Sequence, residues 1–384
     1  MTYKYVATCL FGLEHILGEE IDALGYKRIN TIDGRIVFEG DESAVARCNI
    51  GLRTAERVFI LIGECHAESF EQLFEGTKSM PWEEFIGQRD EFPVKGHSIR
   101  SNLFSIPDCQ KIVKKAVVER LKSKYGISWF AEDGKKYQIE FFILKNEAML
   151  MLDTSGTALH KRGYRPGTLD APLRETLASA LSIMSRPREN VLFWDPFCGS
   201  GTIAIEAAMY MNNIAPGLNR SFAAEGFSFL NKKIWGDARD EARASVKDTE
   251  FEAYASDINP QAVSFAKECV KRAGVLGTVK AFERNALEIS TGGRRGTVVC
   301  NPPYGERMFS MADTESLYKK MGEHFKYLDS WQIYVITSHE QFEKLYGRRA
   351  DKVRKLYNGM IPCYFYQFFK RRDKNDFQKN KTIN

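Results

Sequence analysis

Strand-like and helix-like stretches alternate along this chain, and the unit they build lengthens after residue 155. YKYVATCL (3–10) reads as a strand. GLEHILGEEIDALG (12–25) then sets Leu13, Ile16, Leu17, Ile21 and Leu24 on one helical face, with Gly25 suited to a C-terminal stop. RIVFEG (35–40) predicts a strand, ESAVARCNIGL (42–52) a helix and RVFILIGE (57–64) another strand. Ile112, Val113, Ala116, Val117 and Leu121 mark an amphipathic helix over 107–125. YQIEFFILKNEAMLMLDT (137–154) reads as two strands around a Lys145–Asn146 turn. This half is predicted to be α+β, with short elements in one or two small helix-on-sheet layers.

Residues 154–170, TSGTALHKRGYRPGTLD, combine glycine and proline with His160, Lys161, Arg162 and Arg165, the composition of a linker between domains. Arg162 and Arg165 flank Tyr164, which suits either simple solvation or phosphate contact with base stacking. Longer units follow. APLRETLASALSIMS (171–185) predicts a helix, VLFWDP (191–196) a strand, TIAIEAAMYM (202–211) a helix, FEAYASD (251–257) a strand and PQAVSFAKECVKRAG (260–274) a helix. Further strands are expected at 278–282, in TVVCNPP (297–303) and in QIYVITS (332–338), and VRKLY and MIPCYFYQFF form a hairpin on an Asn358–Gly359 turn. Apolar strands alternating with helices imply a parallel, doubly wound sheet with an antiparallel hairpin at its edge. Residues 211–250, with Arg220, Phe222 and Trp235, exceed the short connection such a sheet needs. They would cap a pocket, shape a channel or pack on the adjacent helix.

With 384 residues, 43% hydrophobic, 12% aromatic and 27% charged, the chain is globular and long enough for two or three domains. No apolar run reaches the length of a membrane span, and MTYKYVATCL lacks the basic start of a signal peptide, so a cytoplasmic protein without a membrane partner is expected. Eight cysteines are dispersed without a CxxC pair, which favours free thiols and no metal site; Cys198 and Cys300 read as packing residues rather than nucleophiles. The net charge of +5 owes most to the segment Lys370–Lys381, where six Lys and Arg face two Asp. A basic balance is compatible with nucleic acid and equally with a solvated tail.

The chemistry concentrates after two predicted strands. The first runs into DPFCGSG (195–201), where Gly199 and Gly201 allow a tight turn and the following helix offers its N-terminal amides to an anion. A P-loop would need a lysine after Gly201, and Thr202 stands there. A dinucleotide fingerprint fits Gly199, Gly201 and Ala204, but the acid it needs arrives late, at Asp257. S-adenosylmethionine fits better. Its carboxylate suits the glycine turn, Asp195 can meet its ammonium or a bound water, Asp257 can accept from both ribose hydroxyls, and Asn285–Ala286 can edge the adenine. The second strand runs into NPPYGER (301–307). Asn301 Oδ1 and the Pro302 carbonyl can accept from an exocyclic amine, Pro302 and Pro303 stiffen the loop, and Tyr304 can stack on a flipped or single-stranded base.

DPFCGSG with NPPY resembles a class I S-adenosylmethionine-dependent methyltransferase that modifies amino groups. FGLE (11–14), LHKRGYR (159–165), APLRETLA (171–178) and APGLNRSFAAE (215–225) extend the resemblance to the THUMP-domain RNA methyltransferases. Within these the chain is most similar to the RlmL-like 23S rRNA guanine-N2 methyltransferases, a family long labelled N6-adenine-specific DNA methylases. The resemblance implies an α/β architecture: a ferredoxin-like piece over 1–60, a THUMP RNA-binding domain over 61–155, a linker over 156–170 and a Rossmann-like, seven-stranded methyltransferase domain over 171–384. It implies Asn301, Pro302, Pro303 and Tyr304 as catalytic residues. Asp195, Phe197, Gly199, Ser200, Gly201, Asp257, Ile258, Asn285, Ala286 and Asn301 would bind the cofactor, and Arg162, Tyr164 and Arg165 the RNA. The expected product is N2-methylguanosine in 23S rRNA. The alternatives are N6-adenine methylation of RNA or DNA, and a non-catalytic RNA-binding protein of ribosome assembly.

Overall fold

The computed structural model describes residues 2–167, 173–304 and 310–369. The basic tail from Lys370, Ala171–Pro172 and the Gly305–Arg307 end of NPPYGER lie outside the described residues. The chain forms two compact units. One comprises residues 1–9, 13–161 and 215–244; the other comprises 10–12, 162–214 and 245–384.

The first unit opens with β1 (Thr2–Cys9), α1 (Glu14–Ala23), β2 (Lys27–Ile32), β3 (Arg35–Asp41), α2 (Ala44–Gly51) and the long β4 (Ala55–His66). It continues with α3 (Phe70–Ser79), β5 (Val94–Ile99), α4 (Ile106–Tyr125), β6 (Ile139–Leu144) and β7 (Glu147–Asp153). All seven strands join one sheet in the order β2-β3-β1-β4-β7-β6-β5. Strand β4 makes this possible: it pairs with β1 through residues 55–60 and with β7 through 59–66. It therefore runs straight through residue 60, and of the one or two layers expected the structure has one sheet. Strand alternation sends Val6, Val37, Phe59, Leu61, Phe142, Met149 and Met151 to one face, where they form a buried cluster. Arg35 of β3 lies 3.3 Å over the ring of Phe142 in β6, although three strands separate them in the sheet. Contact at that range requires the sheet to coil around this cluster. The turn between β6 and β7 is Lys145–Asn146, both with positive φ (51° and 68°), as the type I′ hairpin demands. Strands β2 and β5 and helix α3 escaped the pattern reading. β2 is almost wholly exposed, so it carries no apolar alternation.

The second unit contains α5 (Glu175–Ser185), β8 (Leu192–Asp195) and α6 (Thr202–Met211). After them comes α7 (Lys233–Ala244), which belongs to the first unit, where Phe222 stacks on Trp235 at 5.5 Å and Arg47 pairs with Glu241 at 2.7 Å. The insert thus packs among helices α2 and α7. The second unit resumes with β9 (Ala253–Asp257), α8 (Pro260–Arg272), β10 (Val279–Glu283), β11 (Gly296–Cys300), α9 (Met311–Phe325), β12 (Trp331–Thr337), α10 (Phe342–Tyr346), β13 (Lys352–Asn358) and β14 (Ile361–Phe368). Its sheet has the order β10-β9-β8-β11-β12-β14-β13, parallel through β12 and antiparallel at the β13–β14 edge. The hairpin differs from expectation by one residue. Asn358 still pairs, with Ile361, and the two-residue loop is Gly359–Met360 with positive φ at Gly359. A positive φ at the first loop position alone is the type II′ pattern, which glycine tolerates and asparagine need not supply.

Chain order reverses between β8 and β11, so the carboxyl ends of those strands open the crevice where ligands bind in such sheets. Behind that crevice α9 and α10 cross at Gly322, where an added Cβ would lie 1.9 Å from the Tyr346 carbonyl oxygen. Replacing glycine by alanine within a helix gains about 1 kcal/mol of propensity. A clash with backbone costs about 1–3 kcal/mol or more, because neither helix can yield without moving its neighbours. Gly322→Ala is expected to lower the thermal unfolding midpoint, and an unchanged or raised midpoint would show that α9 and α10 can part freely.

Candidate active site

β8 is short and wholly buried, and it ends on Asp195, a carboxyl only 1% exposed. Oδ1 accepts from the Phe197 amide at 3.1 Å, and among the described residues Oδ2 has no partner. Burial drives the Asp195 carboxyl well above the ordinary carboxylate range; the Phe197 amide offsets part of this, and Asp257 adds to it. A carboxyl this deeply buried, held by one backbone amide, is costly to ionise without a further partner. It fits a site built for a cationic ligand group.

The loop leaving β8 turns back through Gly199 (φ +50°) and Gly201 (φ +75°), a left-handed path that side-chain-bearing residues resist. Gly201 is also the residue from which α6 starts, and Gly201 N donates to Cys198 O at 2.7 Å. The loop is tied to β9: Cys198 N donates to Ser256 O at 3.0 Å and Gly199 N to Asp257 Oδ2 at 3.0 Å. Asp257 Oδ1 accepts from Asn259 N at 2.9 Å. Each oxygen retains a second lone pair, so Asp257 both fixes the glycine loop and can accept from ribose hydroxyls. Beside it Ile258 is 62% exposed, an apolar side chain available to cover one face of a ring. Asn285 accepts from Leu287 N at 3.0 Å and caps a short turn over buried Ala286. Its oxygen is thus committed locally, and its amide nitrogen is the group left for a ligand. Ser200 is buried and shares a hydrogen bond of 2.8 Å with Thr202 Oγ1.

The pairing of Val298 with Trp194 brings the ends of β11 and β8 side by side, which places Asn301–Tyr304 next to the glycine loop. Cys300 and Cys198 are buried, and burial pushes both thiols far up, as suits packing rather than nucleophilic roles. Tyr304 departs from the simple expectation. Its hydroxyl donates to Asn301 Oδ1, so the ring is folded toward the amide instead of standing free as a stacking platform. To take both expected roles, Tyr304 must swing off Asn301 when a base enters. Pro302 is buried and Pro303 half-buried, and the Pro303 carbonyl accepts from the Tyr318 hydroxyl at 2.7 Å. Tyr318 was not anticipated. Its signal is the apolar spacing of Thr314, Leu317, Tyr318, Met321 and Phe325 on α9, obscured by the charges between them.

The three residues expected to face RNA do not lie on the surface. Tyr164 is 4% exposed and donates to buried Glu206 at 3.0 Å, Arg162 lies 3.6 Å from the same carboxylate, and Arg165 pairs with Glu175. Ser179 completes the cluster on Glu206. The basic Arg-Gly-Tyr-Arg segment is thereby pinned to α5 and α6; a buried ring cannot stack on a base, so ion pairing with two buried acids explains this composition better than phosphate contact. Among the described residues no cluster of three metal-ligating side chains is present, and no helix is long and apolar enough to cross a membrane.

A family model described as RlmL ferredoxin-like domain matches residues 4–59, THUMP domain matches 67–153, and "RMKL-like, methyltransferase domain" matches 162–367. A protein of Bacillus subtilis (strain 168) named "Putative RNA methyltransferase YpsC" is 43% identical over 100% of this chain and 99% of its own length. Ribosomal RNA large subunit methyltransferase K/L of Shewanella sediminis is 32% identical over 94% of this chain, which spans only 52% of that relative. The crystal structure of "SMU.472, a putative methyltransferase complexed with SAH" superposes with a TM-score of 0.89 at 36% identity, covering 97% of this chain and 99% of that one. Matched over most of its length in this way, the chain belongs to the RMKL-like methyltransferase family, and its cofactor is S-adenosylmethionine.

Proposed function

We propose that this chain methylates an exocyclic amino group of a base in ribosomal RNA, with N2-methylguanosine in the large-subunit RNA as the product. The observation that carries the reading is the loop Asn301–Tyr304, stiffened by two prolines and set beside the Asp195–Gly201 loop at the switch point of the sheet. A relative named for ribosomal RNA methylation and a THUMP match over 67–153 favour RNA as the substrate.

An amine on an aromatic base is a weak nucleophile, because its lone pair is drawn into the ring. Asn301 Oδ1 and the Pro302 carbonyl are acceptors without protons of their own, so both can hold the NH₂ hydrogens and leave the nitrogen lone pair free. The same dipoles stabilise the positive charge that grows on nitrogen. Tyr304, released from Asn301, covers the face of the base and keeps water away. S-adenosylmethionine, when bound, would supply the activated methyl group to this nitrogen and leave as S-adenosylhomocysteine. The spent nitrogen then loses a proton to solvent, and no strong base is required of the chain.

Three outcomes follow. Tritium-labelled transfer to ribosomal RNA lacking this modification, followed by nucleoside analysis, is expected to give N2-methylguanosine; labelled N6-methyladenosine would replace the base, and no incorporation would remove the RNA reading. Asn301→Ala is expected to lower kcat by roughly 10²–10³, the scale of losing one preorganised charge-stabilising group, while the affinity for S-adenosylhomocysteine measured by calorimetry stays close to wild type. Binding should also release a proton. Burial keeps Asp195 protonated to higher pH than an ordinary carboxyl, and a cationic ammonium favours the ionised form. Affinity should therefore weaken as pH falls through the raised range in which Asp195 takes up its proton, with proton release detected by calorimetry in buffers of different ionisation enthalpy and abolished in Asp195→Asn.

A further inference from the structure

We propose that Tyr318 is a positioning residue for the methyl-transfer step, acting by holding the Pro303 carbonyl and so fixing the peptide from which Tyr304 departs. The inference rests on the reading of Asn301–Tyr304 as the amine-holding loop. Pro302 and Pro303 have no N–H, so the loop from 301 to 304 offers only two amide donors of its own with which to fasten itself. Fastening must come through its carbonyls, and the partner for one of them is supplied from α9.

The direction of the hydroxyl protons can be worked out. Pro303 O can only accept, so the single proton of Tyr318 points at it over 2.7 Å. Thr337 Oγ1, 2.9 Å from the Tyr318 oxygen, must then be the donor in that pair. Thr337 Oγ1 in turn accepts from the His339 amide at 3.1 Å. A one-way chain thus runs from the backbone at the end of β12, through Thr337 and Tyr318, to the catalytic loop at the end of β11. Tyr318 is 0% exposed, and its ring is held edge-on by His339 at 5.6 Å and Phe342 at 4.9 Å. Burial raises the Tyr318 hydroxyl pKa, so it remains a donor. The hydroxyl is accordingly fixed in position, rotamer and protonation before any substrate arrives, as preorganisation of a loop requires.

The test compares wild type with Tyr318→Phe, which keeps the ring packing and removes only the donated hydrogen. Expected are a fall in kcat of about tenfold or more, a KM for S-adenosylmethionine and an S-adenosylhomocysteine affinity within about twofold of wild type, and faster hydrogen exchange at the Asn301 and Tyr304 amides in the S-adenosylhomocysteine complex. Thr337→Val in the Tyr318→Phe background should add nothing further to the exchange at the Asn301 and Tyr304 amides, because the chain is already cut, although the His339 amide loses its acceptor and stability falls. Unchanged exchange at these amides overturns the inference whatever turnover does. So does wild-type turnover in the variant, or a loss of cofactor affinity and thermal stability in step with turnover, which marks a general packing defect. If wild type transfers no methyl group to ribosomal RNA, the substrate reading fails, and the exchange comparison still decides the role of Tyr318.

Discussion

Two consecutive prolines at the mouth of a parallel sheet impose the constraint from which the rest of the site follows. They remove two amide donors from the loop after β11 and restrict its backbone to a few conformations. What the loop keeps in excess is acceptor oxygens, among them the Asn301 amide and the backbone carbonyls of the two prolines. Such a loop is suited to holding hydrogens that belong to something else, and an aromatic amine carries two. Its stiffness is useful only if the loop is also fastened, which is why the Tyr318 hydroxyl on the Pro303 carbonyl matters to the whole arrangement.

The neighbouring loop solves the complementary problem. Gly199 and Gly201 turn left-handed, and Asp257 holds that turn through the Gly199 amide. One carboxylate thereby joins two strand ends and keeps capacity for a sugar. Asp195 is buried and holds the Phe197 amide through one oxygen. In both loops the protein bears its unfavourable groups in advance, which lowers the ordering left to be done on binding.

Much of this was legible in the sequence because glycine, proline and strand-end acids act locally. The strand–glycine–helix unit at 191–211 and the strand before NPPY were readable for that reason, and so were the Lys145–Asn146 turn and the β13–β14 hairpin. What escaped depends on tertiary context. Arg162, Tyr164 and Arg165 look like a nucleic-acid surface in one dimension; only packing reveals Glu206 and Glu175 as their partners. Tyr304 on Asn301 is a contact between side chains three residues apart, invisible to pattern. Tyr318 sits on a helix whose charges, among them Glu315, Lys319 and Lys320, hide its apolar face. The single sheet of the first unit escaped because β4 serves both halves and no breaker residue marks the change.

The position of the base amine decides whether Asn301–Tyr304 is the amine-holding loop. A crystal structure of the chain with S-adenosylhomocysteine and a guanosine-containing RNA substrate should place the guanine N2 within hydrogen-bond distance of Asn301 Oδ1 and Pro302 O, with Tyr304 turned off Asn301 and stacked on the base. A bound base whose amine faces solvent or other side chains, with Asn301 still accepting from Tyr304, would contradict it.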